Sequence, residues 1–485
     1  MATSKSIAII GGGITGLSAA YYASKLIPEA SVTLFESSQR LGGVLQSTIA
    51  DDFLIEHSAD MFTTEPSTAL DLCRELGKEQ ELVSTIPVKT RACVASENGI
   101  HPIPHGLSLM LPGNLDAIMS SELLDSEGKK RFLAEADVPI RDSIDDECLD
   151  SFARRRFGDQ AFEKLIQPLV SGIYTADPTR LSMQATMKRF VDMEREHGSL
   201  IAAAKAKAKQ SDRNASGARY DLFRAPRLGM GQLATWLSNA VPHVSKQMNA
   251  QVQSVKFDNG TGWVVSGVQA KSEASIEHKF AVNFDAVIIA LAAKRSGKLL
   301  TGISPELPAS LNRVESASSA VIAVGLRKSQ LKNSFEGYGI IYPAKLGRKA
   351  IACSFTSNKF PGRAPDDSVM IRVFVGGALQ PGLVELDDED LSKLAITEIH
   401  RTLGLEGQPL FTKVLMWKNC MPQYHVGHLD LLDQIHSLVE KQNGLELAGN
   451  SYGGVGIPAC IDSGRDAVKR IQQNWNVLPS NSTLN

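Results

Sequence analysis

The chain has 485 residues, 43% of them hydrophobic, and a formal net charge of -2 at pH 7. This length corresponds to roughly three globular domains, and the near-neutral charge argues against a nucleic-acid-binding protein, which carries a basic excess. The scattered cysteines and histidines show no metal-ligand spacing, so we expect reduced thiols, no disulfide and no metal site. Without a signal-peptide pattern or an apolar run of about 20 residues, the chain is expected to be cytoplasmic.

The N-terminal stretch, residues 4–24 (SKSIAIIGGGITGLSAAYYAS), predicts a strand, a tight turn and a helix. Residues 11–16 form a GxGxxG pattern, and a second strand over 32–35 ends at Glu36. Glycines at these positions let a backbone approach a pyrophosphate, the helix N-terminus faces its charge, and the acid accepts hydrogen bonds from a ribose. The stretch therefore predicts a βαβ unit that binds a dinucleotide.

The next features are a second glycine turn and a long helical region. Arg40 precedes Gly42 and Gly43, which offers another close backbone approach beside a cation. Residues 114–222 are rich in charged helix formers and predict a helical insertion, whose end (202–219) is basic and of low complexity.

The second half of the chain returns to mixed structure. Residues 254–268 predict two strands around an Asn-Gly turn, 284–293 a buried parallel strand, and 318–377 several further strands. A helix with acidic first-turn residues is expected over 388–405. Residues 445–475 predict a strand, a glycine loop and a helix whose N-terminus faces an electron-rich ring.

These glycine turns at both ends of the chain resemble the flavin-containing amine oxidase superfamily, and four segments resemble its oxygen-dependent protoporphyrinogen/coproporphyrinogen oxidases. The segments are SGIYTADPTRLS (171–182), FPGRAPDD (360–367), KNCMPQYHVGH (418–428) and AGNSYGGVGIPACIDSGR (448–465). The resemblance spans nearly the whole chain. It implies an α/β fold with a Rossmann-like FAD-binding domain, a mixed-sheet substrate domain and a helical insertion. The expected division is FAD-binding domain 1–90, 223–300 and 411–476, substrate domain 91–113 and 301–410, helical insertion 114–222, and tail 477–485.

The resemblance further implies the chemistry. Non-covalent FAD would accept hydride in a six-electron oxidation of protoporphyrinogen IX to protoporphyrin IX during heme biosynthesis, in three two-electron steps with dioxygen as acceptor. Coproporphyrinogen III is the alternative substrate. Two other hypotheses are open. One is an amine oxidase, with Tyr424 and Tyr452 as an aromatic pair at the flavin, and the other is a carrier that has lost FAD. The sequence does not decide whether the protein forms a homodimer. It also leaves undecided whether the protein contacts the inner face of the cell membrane through Phe190, Met193, Ile201 and the basic residues that follow.

The site residues are carried over from the same resemblance. No protein nucleophile is expected, because hydride passes directly to the cofactor. Asp60 departs from relatives that have a Gly-Pro-Arg run, and Cys420 is not expected to attach FAD. The substrate-binding residues are expected to be Arg91, Gly172, Ile340 and Phe374. The cofactor-binding residues are expected to be Gly11, Gly12, Gly13, Ile14, Thr15, Gly16, Glu36, Arg40, Gly42, Gly43, Ser58, Ala59, Asp60, Met61, Val252, Gly449, Asn450, Val455, Gly456 and Ile457.

Overall fold

The structure of the protein, a computed structural model, describes residues 5–88, 90, 92–211, 222–270 and 278–477. Arg91, a predicted substrate-binding residue, lies outside the described residues. The strands are β1 (Ser6–Ile10), β2 (Ser31–Phe35), β3 (Ser47–Ala50), β4 (Phe53–Glu56), β5 (Phe62–Thr63), β6 (Leu82–Ser84), β7 (Ala92–Ser96), β8 (Gly99–Pro102), β9 (Leu107–Ser108), β10 (Leu111–Pro112), β11 (Phe223–Pro226), β12 (Ser245–Gln247), β13 (Ala250–Asp258), β14 (Gly262–Gln269), β15 (His278–Phe284), β16 (Ala286–Ile289), β17 (Ser316–Arg327), β18 (Gly339–Ile341), β19 (Ala350–Phe355), β20 (Ser368–Gly376), β21 (Phe411–Pro422) and β22 (Leu445–Leu447).

The α-helices lie between these strands and in one long segment without strands. They are α1 (Ile14–Leu26), α2 (Thr68–Glu75), α3 (Leu115–Ser120), α4 (Ser126–Leu133), α5 (Leu149–Phe157), α6 (Asp159–Ala161), α7 (Gln167–Tyr174), α8 (Met183–His197), α9 (Leu200–Ser211), α10 (Gly231–Ala240), α11 (Ala293–Leu299), α12 (Glu306–Asn312), α13 (Thr356–Lys359), α14 (Asp388–Leu403), α15 (His428–Glu440) and α16 (Ile457–Val477).

A five-stranded sheet has the first predicted strand at its centre. Its order is β12-β2-β1-β16-β22, and all of its pairs are parallel. The predicted buried parallel strand is confirmed over Ala286–Ile289, whose four residues are all buried. The glycine turn after β1 therefore opens at the carboxyl edge of a parallel sheet, which is where open α/β sheets bind ligands.

Helices α1 and α16 pack against the same face of this sheet and against each other. A Cβ atom on Gly464 of α16 would lie 2.4 Å from the carbonyl oxygen of Thr15 in α1, so the contact requires glycine. This close approach brings the first turn of α1 beside α16, and so joins the N-terminal and C-terminal segments of the predicted cofactor site.

The opposite face of the parallel sheet is covered by an antiparallel meander, β13-β14-β15. The predicted pair of strands around Asn259-Gly260 is confirmed, with Trp263 and Val265 both fully buried. The indole N–H of Trp263 donates to the carbonyl of Asn443 at 2.9 Å. The meander thereby also fixes the chain just before β22.

A seven-stranded mixed sheet, ordered β21-β17-β20-β19-β18-β7-β8, forms the second large layer. Helix α14 covers one face, and its N-terminus is capped by Asp387, whose carboxylate accepts from the Asp390 N–H at 2.9 Å. The other face packs on the hairpin β3-β4. The predicted fold class is confirmed. The sheet continues past the expected boundary at residue 410, because β21 pairs with β17 as an edge strand, a pairing that strand periodicity alone does not reveal.

The segment 115–211 is helical, as predicted, but its apolar stripe faces inward. Phe190 is 0% exposed and Ile201 is 3% exposed, and both pack in the interior of this segment rather than on an outer surface. Lys205, Lys207 and Lys209 are exposed, whereas Arg213 and Arg219 lie outside the described residues. The stripe thus belongs to the helical core, because its side chains bury against the neighbouring helices.

No helix among the described residues is long and apolar enough to cross a membrane. Location in the cytoplasm and peripheral membrane contact stay predictions.

Candidate functional site

Two glycine turns from separate parts of the sequence lie directly against each other. The Gly42 N–H donates to the Gly12 carbonyl at 2.8 Å, and Gly13 and Gly42 form an isolated parallel bridge. A Cβ atom on Gly43 would lie 3.0 Å from the Cα atom of Gly13. The two turns therefore present one continuous backbone surface, the kind of surface that a pyrophosphate approaches closely.

The first turn tolerates no side chain at two further glycines. A Cβ atom on Gly16 would lie 1.8 Å from the Gly11 carbonyl oxygen, and one on Gly11, where φ is +108°, would lie 2.6 Å from the Ala290 carbonyl oxygen. The helix that follows begins at Ile14, and its N-cap residue Gly13 supplies no side-chain hydrogen bond. The first-turn N–H groups are thus left for an anionic ligand.

Glu36 sits at the carboxyl end of β2, where its carboxylate is held in one orientation. Its Oε2 atom accepts from the Gly12 N–H and its Oε1 atom from the Ser38 N–H, both at 2.8 Å. The Ala250 N–H donates to the Glu36 carbonyl at 2.8 Å, which brings the start of β13 and the half-buried Val252 to the same edge. This acid, the turn and β13 fit the ribose and base end of a dinucleotide.

Arg40 stabilises the second turn rather than extending toward a phosphate. Its Nη1 atom donates to the carbonyls of Leu41 and Leu45 at 3.3 and 3.4 Å, and its Nη2 atom donates to the Gly43 carbonyl. The guanidinium keeps its charge close to the turn, but its hydrogen bonds organise the loop.

The predicted 58–61 segment connects the second turn to the mixed sheet. Ser58 Oγ donates to the Val44 carbonyl at 2.6 Å, and Ala59 and Met61 are half-buried. Asp60 is buried, and its Oδ2 atom accepts from Lys359 Nζ at 2.7 Å. Its carboxylate therefore points to a buried cation and is not turned toward a ligand, so only the backbone of this residue is left to meet the predicted cofactor.

The sequence reasoning missed the two partners of Asp60. Arg372 Nη1 lies 3.4 Å from the Asp60 carboxylate, and Lys359 is the last residue of α13. Burial raises the pKa of Asp60, but Lys359 and then Arg372 outweigh it, so the pKa is lowered overall. These residues are far apart in the chain, so no local spacing signals the pair.

The surroundings of the 58–61 segment are electropositive. The pKa of His57 falls to about 4, first because the ring is buried and then because Lys413, Arg40 and Arg372 lie near it. His57 is therefore neutral at physiological pH. The charged groups near this segment therefore favour an anionic ligand.

The C-terminal glycine loop lies between β22 and α16 and is held at several points. The Gly449 N–H donates to Ser463 Oγ at 2.9 Å, and the Tyr424 hydroxyl donates to the Asn450 carbonyl. Asn450 Nδ2 donates to the Cys420 carbonyl at 3.2 Å. The loop leaves Gly456 exposed and Val455 half-buried just before Ile457, the first residue of α16.

The two tyrosines weighed as an aromatic pair are both buried. Tyr424 stacks on His428 with ring centroids 4.4 Å apart, and Tyr452 packs in the core beneath the parallel sheet, where its hydroxyl reaches Ser296 Oγ at 3.4 Å. These packing partners occupy both rings, so neither is presented to a ligand as a free face.

The predicted substrate residues are only partly brought together. Gly172 is exposed in the last turn of α7, not in a loop, and a Cβ atom there would meet no atom within 4 Å. Ile340 is 0% exposed and packs under α14, whereas Phe374 is half-buried on the opposite face of the mixed sheet. Ile341 shares the face of Phe374, because Ile341 pairs with Ala352 and Ala352 pairs with Phe374.

The cysteines near the C-terminal loop are free thiols. Burial raises the pKa of Cys420 and raises that of Cys460 to about 11. Both side chains are therefore protonated at neutral pH and are poor nucleophiles. No group of three or more candidate metal ligands occurs among the described residues.

Comparisons with known proteins match nearly the whole length of the chain. A family model described as flavin-containing amine oxidoreductase matches residues 14–472. The chain is 34% identical over 472 residues to the coproporphyrinogen III oxidase of Bacillus subtilis, covering 96% of this chain and 97% of that protein. It is 26% identical over 487 residues to protoporphyrinogen oxidase 2 of Arabidopsis thaliana, covering 95% and 92%. A solved structure from Exiguobacterium sp. 255-15, provisionally described as a protoporphyrinogen oxidase, superposes with a TM-score of 0.83 at 27% identity, covering 97% and 99%.

Proposed function

The chain belongs to the flavin-containing amine oxidoreductase family, and we propose that it oxidises a porphyrinogen to the corresponding porphyrin with dioxygen as the final acceptor. The observation that carries this proposal is the 34% identity, over 96% of the chain, to a coproporphyrinogen III oxidase. FAD is the cofactor of this family member. The joined glycine turns, the uncapped start of α1 and the oriented Glu36 form a site that fits a dinucleotide without a covalent bond.

When bound, FAD supplies the hydride acceptor, so the protein needs no nucleophile of its own. The residues of the chain bind and orient. The backbone of the two turns receives the phosphates, and Glu36 accepts hydrogen bonds from a ribose. The face of the mixed sheet that carries Ile341 and Phe374 offers apolar surface to a macrocycle, and the open space at Gly172 leaves room for it. Orientation of this kind contributes several kcal/mol, about 7 in favourable cases.

We propose coproporphyrinogen III as the preferred substrate, since the relative at 34% identity is named for it. Other relatives named for coproporphyrinogen III are 26–29% identical, and those named for protoporphyrinogen are 26–27% identical. FAD-loaded protein is expected to generate fluorescent porphyrin from the colourless porphyrinogen in air, with three molecules of hydrogen peroxide per porphyrin. The measurement compares kcat/KM for coproporphyrinogen III and protoporphyrinogen IX offered separately. A preference for protoporphyrinogen IX would reverse the substrate assignment. Failure of both, with turnover of amines, would favour the amine oxidase reading.

Enlarging Gly172 is expected to hinder the substrate without disturbing the fold. A Cβ atom at this position would meet open space, and Gly to Ala inside a helix gains about 1 kcal/mol of helix propensity. A Gly172→Leu variant should therefore be at least as stable as the wild type and keep its FAD content, while KM for the porphyrinogen rises on the order of tenfold. Steady-state kinetics and the flavin absorbance per protein measure the two effects.

The matched control for this change is Gly382→Leu, because a Cβ atom on Gly382 also meets no atom within 4 Å but lies outside the predicted substrate site. The control should leave KM unchanged. If Gly172→Leu shows wild-type KM, Gly172 does not face the substrate.

A further inference from the structure

Five buried ionisable residues lie behind the 58–61 segment, and we call them the buried charge cluster. Each exposes 7% or less of its surface; they are Glu56, Asp60, Lys359, Arg363 and Arg372. Lys359 Nζ donates to Asp60 Oδ2 at 2.7 Å and to Ser354 Oγ at 3.1 Å. The cluster therefore joins the end of β4 to helix α13 and to strand β20 of the mixed sheet.

Positive charge exceeds negative charge in the buried charge cluster. Arg363 makes no ion pair with any residue that the structure describes, and donates to the carbonyls of Pro226 and Arg227 at 3.0 and 2.7 Å. The Nε atoms of Arg363 and Arg372 are buried and find no hydrogen-bond partner among the residues that the structure describes. The cluster contains three cations and two carboxylates. Burial raises the pKa of Glu56, which further reduces the negative charge of the cluster. Buried charge of one sign is costly unless an opposite charge lies near.

The buried charge cluster contacts the 58–61 segment, which is part of the predicted cofactor site. Arg372 Nη2 donates to the Ser58 carbonyl, and Ser58 in turn donates to Val44 beside the second glycine turn. The Arg372 guanidinium also lies 5.0 Å from the ring centroid of Phe374. Because the cations are almost fully buried, they cannot contact a ligand directly and act on it through space.

We propose that the buried charge cluster raises the reduction potential of the bound flavin, because its three cations outnumber its two carboxylates. The inference rests on the proposed function, since it requires FAD beside the 58–61 segment. A flavin gains negative charge on reduction, and an unbalanced cation in a poorly screened interior stabilises that charge. Lys359 is a positioning and electrostatic residue here, because its amino group is bonded to Asp60 and Ser354.

The test measures the two-electron midpoint potential of bound FAD and its affinity for sulfite, an anion that adds to oxidised flavin. In Lys359→Gln, which keeps a donor toward Asp60, and in Lys359→Met, the equilibrium constant for reduction is expected to fall about tenfold, which corresponds to about 30 mV for a two-electron couple. The sulfite Kd should rise by a similar factor. Asp60→Asn should shift both quantities in the opposite direction, because it removes a negative charge.

Two controls separate electrostatics from packing. Lys359→Arg keeps the charge and should retain the wild-type potential, and Lys393→Met removes an exposed cation from α14 on the far face of the sheet. If Lys359 and Asp60 had only a structural role, the midpoint potentials of their variants would shift in the same direction or would not shift. Either result overturns the inference. If the wild-type protein took up no FAD, the proposed function would be wrong. If the protein oxidised porphyrinogens but the Lys359 variants kept the wild-type midpoint potential, only this inference would be wrong.

Discussion

The Gly16→Ala variant is expected to bind FAD at least about a hundredfold more weakly than the wild-type protein, a loss of about 2.7 kcal/mol. The added Cβ atom would lie 1.8 Å from the Gly11 carbonyl oxygen, so α1 must move away from the turn. The displacement separates the helix N-terminus from the backbone surface that the two glycine turns share. Flavin absorbance per protein and FAD titration of the apoprotein measure the loss.

The expected loss of affinity in Gly16→Ala is opposite to what helix propensity alone would suggest. Gly16 is the third residue of α1, and in an unconstrained helix alanine would be favoured over glycine by about 1 kcal/mol. The close approach to Gly11 reverses that preference, since overpacking commonly costs about 1–3 kcal/mol and here involves backbone that has no alternative rotamer.

The matched control for Gly16→Ala is Gly382→Ala, where the new Cβ atom meets no atom within 4 Å. It should bind FAD as the wild type does. Wild-type affinity in Gly16→Ala would mean that the turn at residues 11–16 does not hold the cofactor.

The dinucleotide unit could be predicted because its determinants are local. The apolar run of β1, the glycines that follow and Glu36 lie within about thirty residues, and each has a direct physical reason to be there. The same locality explains why the helical segment and the hairpin at Asn259-Gly260 followed from the sequence, whereas the fold class was implied by the family resemblance. What the sequence did not reveal is that Gly42 and Gly43 pack on the first turn, since that contact depends on the loop that Arg40 holds.

The face of the mixed sheet proposed to bind the substrate illustrates why strand register is harder to predict. Residues Ile340 and Ile341 are adjacent and equally apolar, so no alternation distinguishes the inward side chain from the outward one. Only the pairing of β18 with β19, and of β19 with β20, assigns Ile341 to the face of Phe374. A one-residue choice therefore decides which isoleucine belongs to the candidate site.

Asp60 shows that long-range ion pairs are also difficult to predict from the sequence. The family resemblance implied contact with the cofactor, yet the Asp60 carboxylate accepts a hydrogen bond from Lys359, 299 residues later in the chain. Buried ion pairs of such separation leave no pattern in a single sequence, because either partner alone resembles an ordinary surface charge.

The Arg156→Met variant is expected to lose about 3–5 kcal/mol of stability in the helical segment, the usual cost of removing one partner from a buried ion pair. Arg156 and Glu135 are both 0% exposed. The guanidinium donates to the Glu135 carboxylate and to the carbonyls of Val138 and Gly198 at 2.9 and 3.1 Å. Urea denaturation, followed by circular dichroism and by limited proteolysis, measures the change.

The control is Lys188→Met on α8, which removes the cation of an exposed pair with Asp192 and should cost no more than about 0.5 kcal/mol. The double variant Arg156→Met/Glu135→Gln should recover part of the loss, since it removes the uncompensated charge. Recovery is expected to be incomplete, because the Glu135 carboxylate also accepts from the Leu200 and Ile201 N–H groups at the start of α9. An effect of Arg156→Met no larger than that of Lys188→Met would show that the pair does not hold the segment together.

The consequence for function follows from where this segment lies. It carries α7, and therefore Gly172, whereas the glycine turns proposed to hold FAD belong to the other layers of the fold. Loosening the segment through Arg156→Met should consequently raise KM for the porphyrinogen while the FAD content stays at the wild-type level. Loss of FAD together with the rise in KM would instead mean that the helical segment supports the cofactor domain, and its separate role in substrate binding would have to be given up.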